Sequence, residues 1–224
     1  MKNLLVGLLM VSTVLGGCKS WNKSQKGAVI GTAVGGAVGA GVGSAAGKVV
    51  LGAIIGATVG GVAGAIIGNN MDKQAEEMRK NLPDAKVVRV GEGIVIEFNN
   101  KILFGFDQSD LSAEARSNLG KLVDVLQKYP DTDIEVQGHT DNTGTAKYNL
   151  ALSKRRASSV SDYLLGNGIG SSRVNMKAFG ETEPKYSNGS TDGQDQNRRV
   201  DFLISANEKM KAEAAKEVDK NGGK

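Results

Sequence analysis

The sequence is poor in the residues that build disulfides and metal sites. It has one cysteine and one histidine, and only 4% of its 224 residues are aromatic. A single cysteine excludes an internal disulfide, and a single histidine without a second cysteine offers no ligand set for a metal centre. The formal net charge of +4 is too small and too dispersed to indicate a nucleic-acid partner. We therefore predict no metal, no cofactor and no nucleic acid.

The N-terminus has the layout of a secretory signal. Lys2 precedes an apolar run over residues 4–15, which is too short to span a bilayer as a mature helix. The run ends in the letters LGGC, the last of which is Cys18, and this ending resembles the bacterial lipobox. The resemblance implies that residues 1–17 are removed and that Cys18 is acylated, which would anchor the chain in a bilayer. Residues 18–26 would then form a short polar linker.

Residues 27–69 combine glycine with apolar residues. Glycine recurs at every fourth position from residue 27 to 47 and again from 52 to 68, and Lys48 lies between the two series. This spacing predicts an apolar hairpin of two helices whose glycines allow close packing, and it resembles the glycine-zipper segments of bacterial outer-membrane lipoproteins. Each helix is long enough to cross a bilayer. Insertion into the membrane, packing outside it, and assembly into a homo-oligomer all remain open.

Charged segments precede and follow the C-terminal domain. Residues 70–86 are predicted to be a linker, in which Gln74 to Lys80 form a short surface helix that Pro83 ends. Residues 207–224 are predicted to be a charged tail with a frayed helix. We assign no chemistry to either segment.

Residues 87–206 are predicted to form an α+β domain. The order β-α-β-α-β-β predicts a mixed sheet with helices on one face, and it follows from β-branched runs, helical spacing and turn signals. The predicted elements are a hairpin around residues 91–93, a strand over 102–104, a helix that Asp110 or Ser112 caps and that ends at Tyr129, a strand over 133–137, a helix from about Ala146 to Leu165, and strands over 174–178 and 199–204.

A carboxylate and a guanidinium are placed so that they could share one ligand. A strand ends at Gly138 and a helix begins about eight residues later, so Thr140 and Asp141 lie at the carboxyl end of the strand, a common ligand position. Arg156 lies about halfway along that helix. Together, Asp141 and Arg156 suit a zwitterion, with an ammonium on the carboxylate and a carboxylate on the guanidinium. On the residues alone, Asp141 could instead cap the turn, and Arg156 could be a solvated charge.

Four linked motifs then resemble the OmpA-like domain. They are FGFDQSDL at 104–111, GHTDNTG at 138–144, YNLALSKRRASSV at 148–160 and NRRVDF at 197–202. The resemblance implies a module that binds the meso-diaminopimelate of peptidoglycan. It places the two charged contacts on Asp141 and Arg156, and further contacts on Thr140, Asn149 and Arg198.

The full layout resembles the YiaD-type outer-membrane lipoproteins. It implies a non-enzymatic tether between the outer membrane and the cell wall, with the C-terminal domain in the periplasm. The alternative is an oligomeric membrane assembly that forms through the glycine helices and is positioned by wall binding. His139 is flanked by no nucleophile motif and is predicted to be a loop residue rather than a catalytic base.

Overall fold

The computed structural model describes residue 59 and residues 61–105 and 107–222. The predicted signal peptide, Cys18, the linker over 18–26 and most of the glycine segment lie outside the described residues. The described elements are α1 (Gly61–Asn81), β1 (Lys86–Val90), β2 (Gly93–Asn99), α2 (Asn100–Leu103), α3 (Ala113–Lys128), β3 (Thr132–His139), α4 (Ala146–Gly166), β4 (Val174–Gly180), α5 (Thr191–Asn197), β5 (Arg199–Ala206) and α6 (Glu208–Gly222).

The strands form one mixed five-stranded sheet in the order β1-β2-β5-β3-β4. Strands β3 and β4 are parallel and are joined by α4, whereas every other neighbouring pair is antiparallel. A parallel pair needs a long connection, and here a helix supplies it. The predicted α+β class with a mixed sheet is confirmed, and so is the hairpin, which turns at Gly91 with a φ of 56°.

The core lies between one face of the sheet and the helices. Alternate residues of β2, β3 and β5 point into it, as the period of two in a strand requires, and Phe98 packs edge-to-face on Phe202 with ring centroids 5.7 Å apart. Burying each such side chain contributes roughly 1.5–3 kcal/mol. Residues one position along the same strands point to the opposite face and are mostly polar, among them Glu97, Gln137 and Asp201.

The segment predicted as a linker is instead part of the domain. Helix α1 continues from the last glycines to Asn81, and its buried residues contact the sheet, α3 and α6. The prediction of a surface helix over Gln74 to Lys80 is wrong because one face of the helix is apolar. The residues of that face are Ile67, Met71, Ala75 and Met78, none of which has any exposed surface. No helix in the described ranges is long and apolar enough to cross a membrane.

The β1–β2 hairpin also forms hydrogen bonds with the N-terminal half of α1 and with Val59, which precedes it. The Glu92 carboxylate accepts hydrogen bonds of 3.1 Å from the Val59 N–H. The Arg89 guanidinium donates to Asp72 at 2.7 Å and to the Gly68 carbonyl at 3.3 Å. These contacts fix the direction in which the chain enters the domain.

The C-terminal segment, predicted to be a charged tail with a frayed helix, is instead part of the domain. Residues Glu208–Gly222 form α6, and Met210 and Ala214 on it are buried against the core that α1 shares. Most of the other residues from Glu208 to Glu217 are charged or alanine and are exposed. They outnumber the two buried residues, so the sequence shows no clear apolar face.

Two short elements differ from the prediction. Residues 102–104 do not form a strand, because the Asn99 side chain accepts from the Lys101 N–H at 2.8 Å and starts the one-turn helix α2. Phe104 makes only an isolated bridge to Leu111. Helix α5 was not predicted, and its N-cap, Ser190, accepts from the Gly193 N–H at 3.1 Å.

Candidate ligand-binding site

Close packing of α4 on β3 positions the candidate site. A Cβ atom added to Gly138 would lie 2.2 Å from the Ser153 carbonyl oxygen, so only glycine lets the helix approach this closely. The Ser153 hydroxyl accepts from the Gly180 N–H at 3.0 Å and so fastens the same helix to the end of β4. These contacts bring the middle of α4 beside the carboxyl ends of two parallel strands.

Asp141 follows directly after this edge and is only 4% exposed. One carboxylate oxygen, Oδ1, accepts from the Thr143 N–H at 2.8 Å, which fixes a tight turn. The other oxygen, Oδ2, forms an ion pair with Nη1 of Arg198. The alternative role of Asp141 as a turn cap is therefore real, and it occupies one oxygen and leaves the other to a cation.

Arg156 is 5% exposed and lies on the face of α4 that turns toward the chain before α3. Its Nε donates to the Gln108 carbonyl at 2.9 Å, and its guanidinium carbon lies 5.3 Å from the centre of the Phe104 ring. Burial lowers the pKa of Arg156, an effect that Asp107 opposes and the cation of Arg198 adds to. Arg156 is thus a buried cation and not a solvated surface charge.

Asn149 and Thr140 brace the turn. The Asn149 side-chain nitrogen donates to the carbonyls of Asp141 at 3.3 Å and Thr143 at 3.1 Å, and to the Glu181 carboxylate at 2.5 Å. The Thr140 N–H donates to the Gly180 carbonyl at 2.8 Å. The Thr140 hydroxyl is buried and has no hydrogen-bond partner among the described residues, so it is a polar group available to a ligand.

Arg198 connects the site to α5. It lies between α5 and β5, and its two terminal nitrogens contact different carboxylates, Nη1 that of Asp141 and Nη2 that of Asp195. Its side chain is 31% exposed. The predicted contact residue is therefore placed beside Asp141.

Four of the predicted residues surround the turn after β3, and Arg156 approaches it from α4. Asp141 and Arg156 do not pair with each other; Asp141 contacts Arg198, and Arg156 contacts the chain near Gln108. Arg198 forms the ion pair with Asp141, and its charge adds to the effect of burial in lowering the pKa of Arg156. One carboxylate and two guanidiniums therefore share this end of the sheet.

The segment before α3 adds residues that the sequence did not assign. The Tyr148 hydroxyl hydrogen-bonds to the Asp107 carboxylate, which raises the pKa of Tyr148. Asp107 has a φ of 55°, a conformation that aspartate tolerates better than most residues. The motif FGFDQSDL marked this segment, but only the fold brings it against Arg156.

His139 is not a loop residue, as the sequence predicted, but the buried end of β3. It is 2% exposed on the face of the sheet opposite the helices, and its ring stacks on Phe179 with centroids 5.1 Å apart. Burial, and then the charges of Arg199 and Lys185, hold the pKa of His139 well below its usual value. Arg199 forms a buried ion pair on the same face, with its Nε 3.1 Å from Oδ2 of Asp201.

Two family models match the chain. The OmpA family model matches residues 103–198, and the YMGG-like Gly-zipper model matches residues 1–72. The site described above lies within the first match, and helix α1 begins within the second.

Individual proteins agree with these matches. The chain is 33% identical over 140 residues to Probable lipoprotein YiaD of Escherichia coli, an alignment that covers 62% of this chain and 64% of that protein. It is 33% identical over 137 residues to the peptidoglycan-associated lipoprotein of Brucella melitensis, which covers 57% of this chain and 82% of that protein. The cell wall anchor of the T6SS from Pseudomonas aeruginosa has a similar structure, with a TM-score of 0.54 and 26% identity over 61% of this chain and 96% of that one.

The chain covers different shares of its relatives. The chain spans less than two thirds of the length of several relatives, 64% of YiaD and 33% of outer membrane porin F of Pseudomonas aeruginosa. The Brucella lipoprotein is matched over 82% of its length. The chain therefore belongs to the OmpA family, with a YMGG-like glycine zipper preceding its OmpA domain.

Proposed function

We propose that the protein binds peptidoglycan without catalysing a reaction and thereby tethers the outer membrane to the cell wall. The observation that carries the proposal is the group of one buried carboxylate, Asp141, and two guanidiniums, Arg156 and Arg198, at the carboxyl end of β3. The names of two relatives support it, since one is a peptidoglycan-associated lipoprotein and another is a cell wall anchor.

The charges in this group suit the free end of meso-diaminopimelate, which carries an ammonium and a carboxylate on one carbon. The ammonium would bind Asp141, and the carboxylate would bind the guanidinium of Arg156. The Thr140 hydroxyl, which lacks a partner among the described residues, would complete the contacts to the ligand. Asn149 would act by holding the turn in shape, because its side-chain nitrogen already has three acceptors.

The number of contacts is sufficient for useful affinity. A hydrogen bond to a charged group contributes roughly 1.5–3 kcal/mol, and micromolar binding requires about 8 kcal/mol. Four or five contacts reach this value after ordering costs are subtracted. Anchoring in the membrane would raise the local concentration of wall ligand and strengthen attachment further.

The membrane side of the tether rests on Cys18. Acylation there would hold the chain in the outer membrane, and the domain would then face the periplasm, where peptidoglycan lies. The match of the N-terminal 72 residues to a glycine-zipper model and the lipoprotein names of two relatives support this arrangement.

The charged pair is tested by neutralising each member. Asp141→Asn keeps the shape of the side chain but cannot balance an ammonium, and Arg156→Gln removes the guanidinium. We expect each change to lower binding to isolated peptidoglycan at least about tenfold, because each removes a charge-assisted contact. Co-sedimentation of the purified variants with sacculi measures the effect.

Matched controls separate this effect from general changes in charge. Asp162 and Arg155 are exposed on the same helix as Arg156, so Asp162→Asn and Arg155→Gln should bind as the unaltered protein does. Thermal unfolding checks that all four variants remain folded. Undiminished binding by a folded Asp141→Asn protein would refute the assignment.

A further inference from the structure

Arg198 is shared between two carboxylates, one at each terminal nitrogen of its guanidinium. Nη1 contacts Oδ2 of Asp141, and Nη2 contacts Oδ1 of Asp195. The first carboxylate is nearly buried, with 6% of its side chain exposed, whereas the second is 23% exposed at the rim. We propose that Asp195 is a positioning residue, which retains Arg198 when an incoming ligand ammonium displaces it from Asp141. This inference rests on the proposed function.

The cation on Asp141 must move before an ammonium can bind there. Oδ1 of Asp141 is engaged by the Thr143 N–H, which fixes the turn, so Oδ2 is the oxygen left for a ligand. In the structure Arg198 occupies Oδ2. The guanidinium therefore holds the position that the ammonium of diaminopimelate would take.

The backbone of Arg198 is fixed, so only its side chain can change partners. The Arg198 N–H donates to the Gln194 carbonyl at 3.1 Å, and the Arg198 carbonyl accepts from the Asn100 N–H at 2.9 Å. Asp195 is held as well, because its carbonyl accepts from the Asn99 side chain at 3.0 Å. Release of Arg198 from Asp141, with its contact to Asp195 kept, thus requires a small rotation of one guanidinium rather than a movement of α5.

Asp195 lowers the free energy of the state in which the ligand ammonium has displaced Arg198 from Asp141. Without it, the Arg198 guanidinium would compete with the ammonium for Asp141, and two cations would face one carboxylate in a largely buried turn. With it, the Arg198 guanidinium keeps a carboxylate partner at the rim of the site after the ammonium has taken its place on Asp141. Asp195 therefore acts through Arg198 and need not touch the ligand.

The experiment is isothermal titration of the full chain with meso-diaminopimelate. Asp195→Asn should bind about tenfold more weakly, the effect expected from losing the charge-assisted hydrogen bond to Arg198 in a partly solvated site. The other Asp195 oxygen, Oδ2, pairs with the exposed Lys101, and the loss of that pair should not affect the ligand. Asp195→Glu should bind within about twofold of the unaltered protein because it restores the carboxylate. The control is Asp192→Asn on the exposed first turn of α5, where Asp192 accepts from Gln196 at 2.6 Å; its affinity should not change.

Each result bears on the proposal. A folded Asp195→Asn protein that binds as tightly as the unaltered protein overturns it, and so does an equal loss in Asp195→Asn and Asp195→Glu, because the carboxylate would then not be what matters. Asp195→Ser provides a second neutral variant if Asn impairs folding. Failure of the unaltered protein to bind diaminopimelate would instead overturn the proposed function.

Discussion

His139 is the residue whose surroundings differ most from what its sequence position suggests. Its ring is buried beside Phe179, and both ring nitrogens lack hydrogen-bond partners among the described residues. Asp201 lies 3.8 Å from its Nε2 but is already paired with Arg199 and Lys185. A proton added to His139 would therefore place an extra positive charge in a cluster whose charges are already balanced, since Lys185 also pairs with Glu97.

The burial of His139 predicts that the folded protein loses stability as the pH falls. Because the pKa of His139 is lowered in the folded state, the unfolded chain binds more protons below about pH 6.5, and stability falls as pH decreases through that value. Between pH 6.5 and 5.5, His139→Gln should lose about 1 kcal/mol less unfolding free energy than the unaltered protein. Denaturant unfolding at both pH values measures the difference, and parallel losses in the two proteins would contradict the prediction.

At the candidate site, the sequence identifies residues that lie in linked motifs and misses those that meet only through folding. Asp141 and Arg156 follow from a strand–turn–helix pattern and from the resemblance to OmpA-like domains. Asp195 lies in a segment without a predicted element, and the Gln108 carbonyl that orients Arg156 is a backbone group with no residue signature. The contact between Gln108 and Arg156 joins positions that are 48 residues apart, so no local pattern could reveal it. Asp195 and Arg198 lie within one helical turn of each other, but only the fold brings them beside Asp141.

Helices α1 and α6 extend the domain on the helical side of the sheet. They contact each other, and both contribute buried side chains to the core, Met71 and Met78 from α1 and Met210 from α6. In each helix these side chains lie among charged residues, so the sequence favours a linker over residues 70–86 and a tail over residues 207–224. The apolar residues of both helices are spaced three or four positions apart in the sequence. This spacing indicates a buried helix face only when the surface that the face packs against is known.

The α6 contact predicts a measurable share of stability. Met210 is 8% exposed, and Met210→Ala should lower the free energy of unfolding by about 2 kcal/mol, the low end for a buried methionine because the residue lies near the edge of the core. Glu217→Ala, on an exposed position of the same helix, should change it by less than about 0.5 kcal/mol. Equal effects from the two changes would show that α6 does not pack on the domain in solution.

For the whole molecule, the proposed tether requires an attachment at each end. The sheet architecture and the class of the domain could be predicted from strand patterns and linked motifs, and both are confirmed. The path from the glycine segment into the domain could not, because the continuity of α1 depends on packing against the hairpin and α6 rather than on helix propensity alone.

The membrane attachment is tested by replacing the residue predicted to carry lipid. Cys18→Ser should move the protein from the membrane fraction to the soluble periplasmic fraction, because the acyl chains supply the anchoring free energy, roughly 0.8 kcal/mol per buried methylene. Asp141→Asn serves as the control and should stay in the membrane fraction. Retention of Cys18→Ser in the membrane would show that the glycine segment alone suffices for anchoring.

The contacts between the hairpin and α1 affect how the domain would respond to a pulling force. Because α1 is about 31 Å long and is held along its length by Arg89, Glu92 and α6, tension applied at Gly61 is spread over many contacts in shear. It does not peel a single strand from the sheet. The turn that carries Asp141 is therefore held in a fixed orientation relative to the axis of α1.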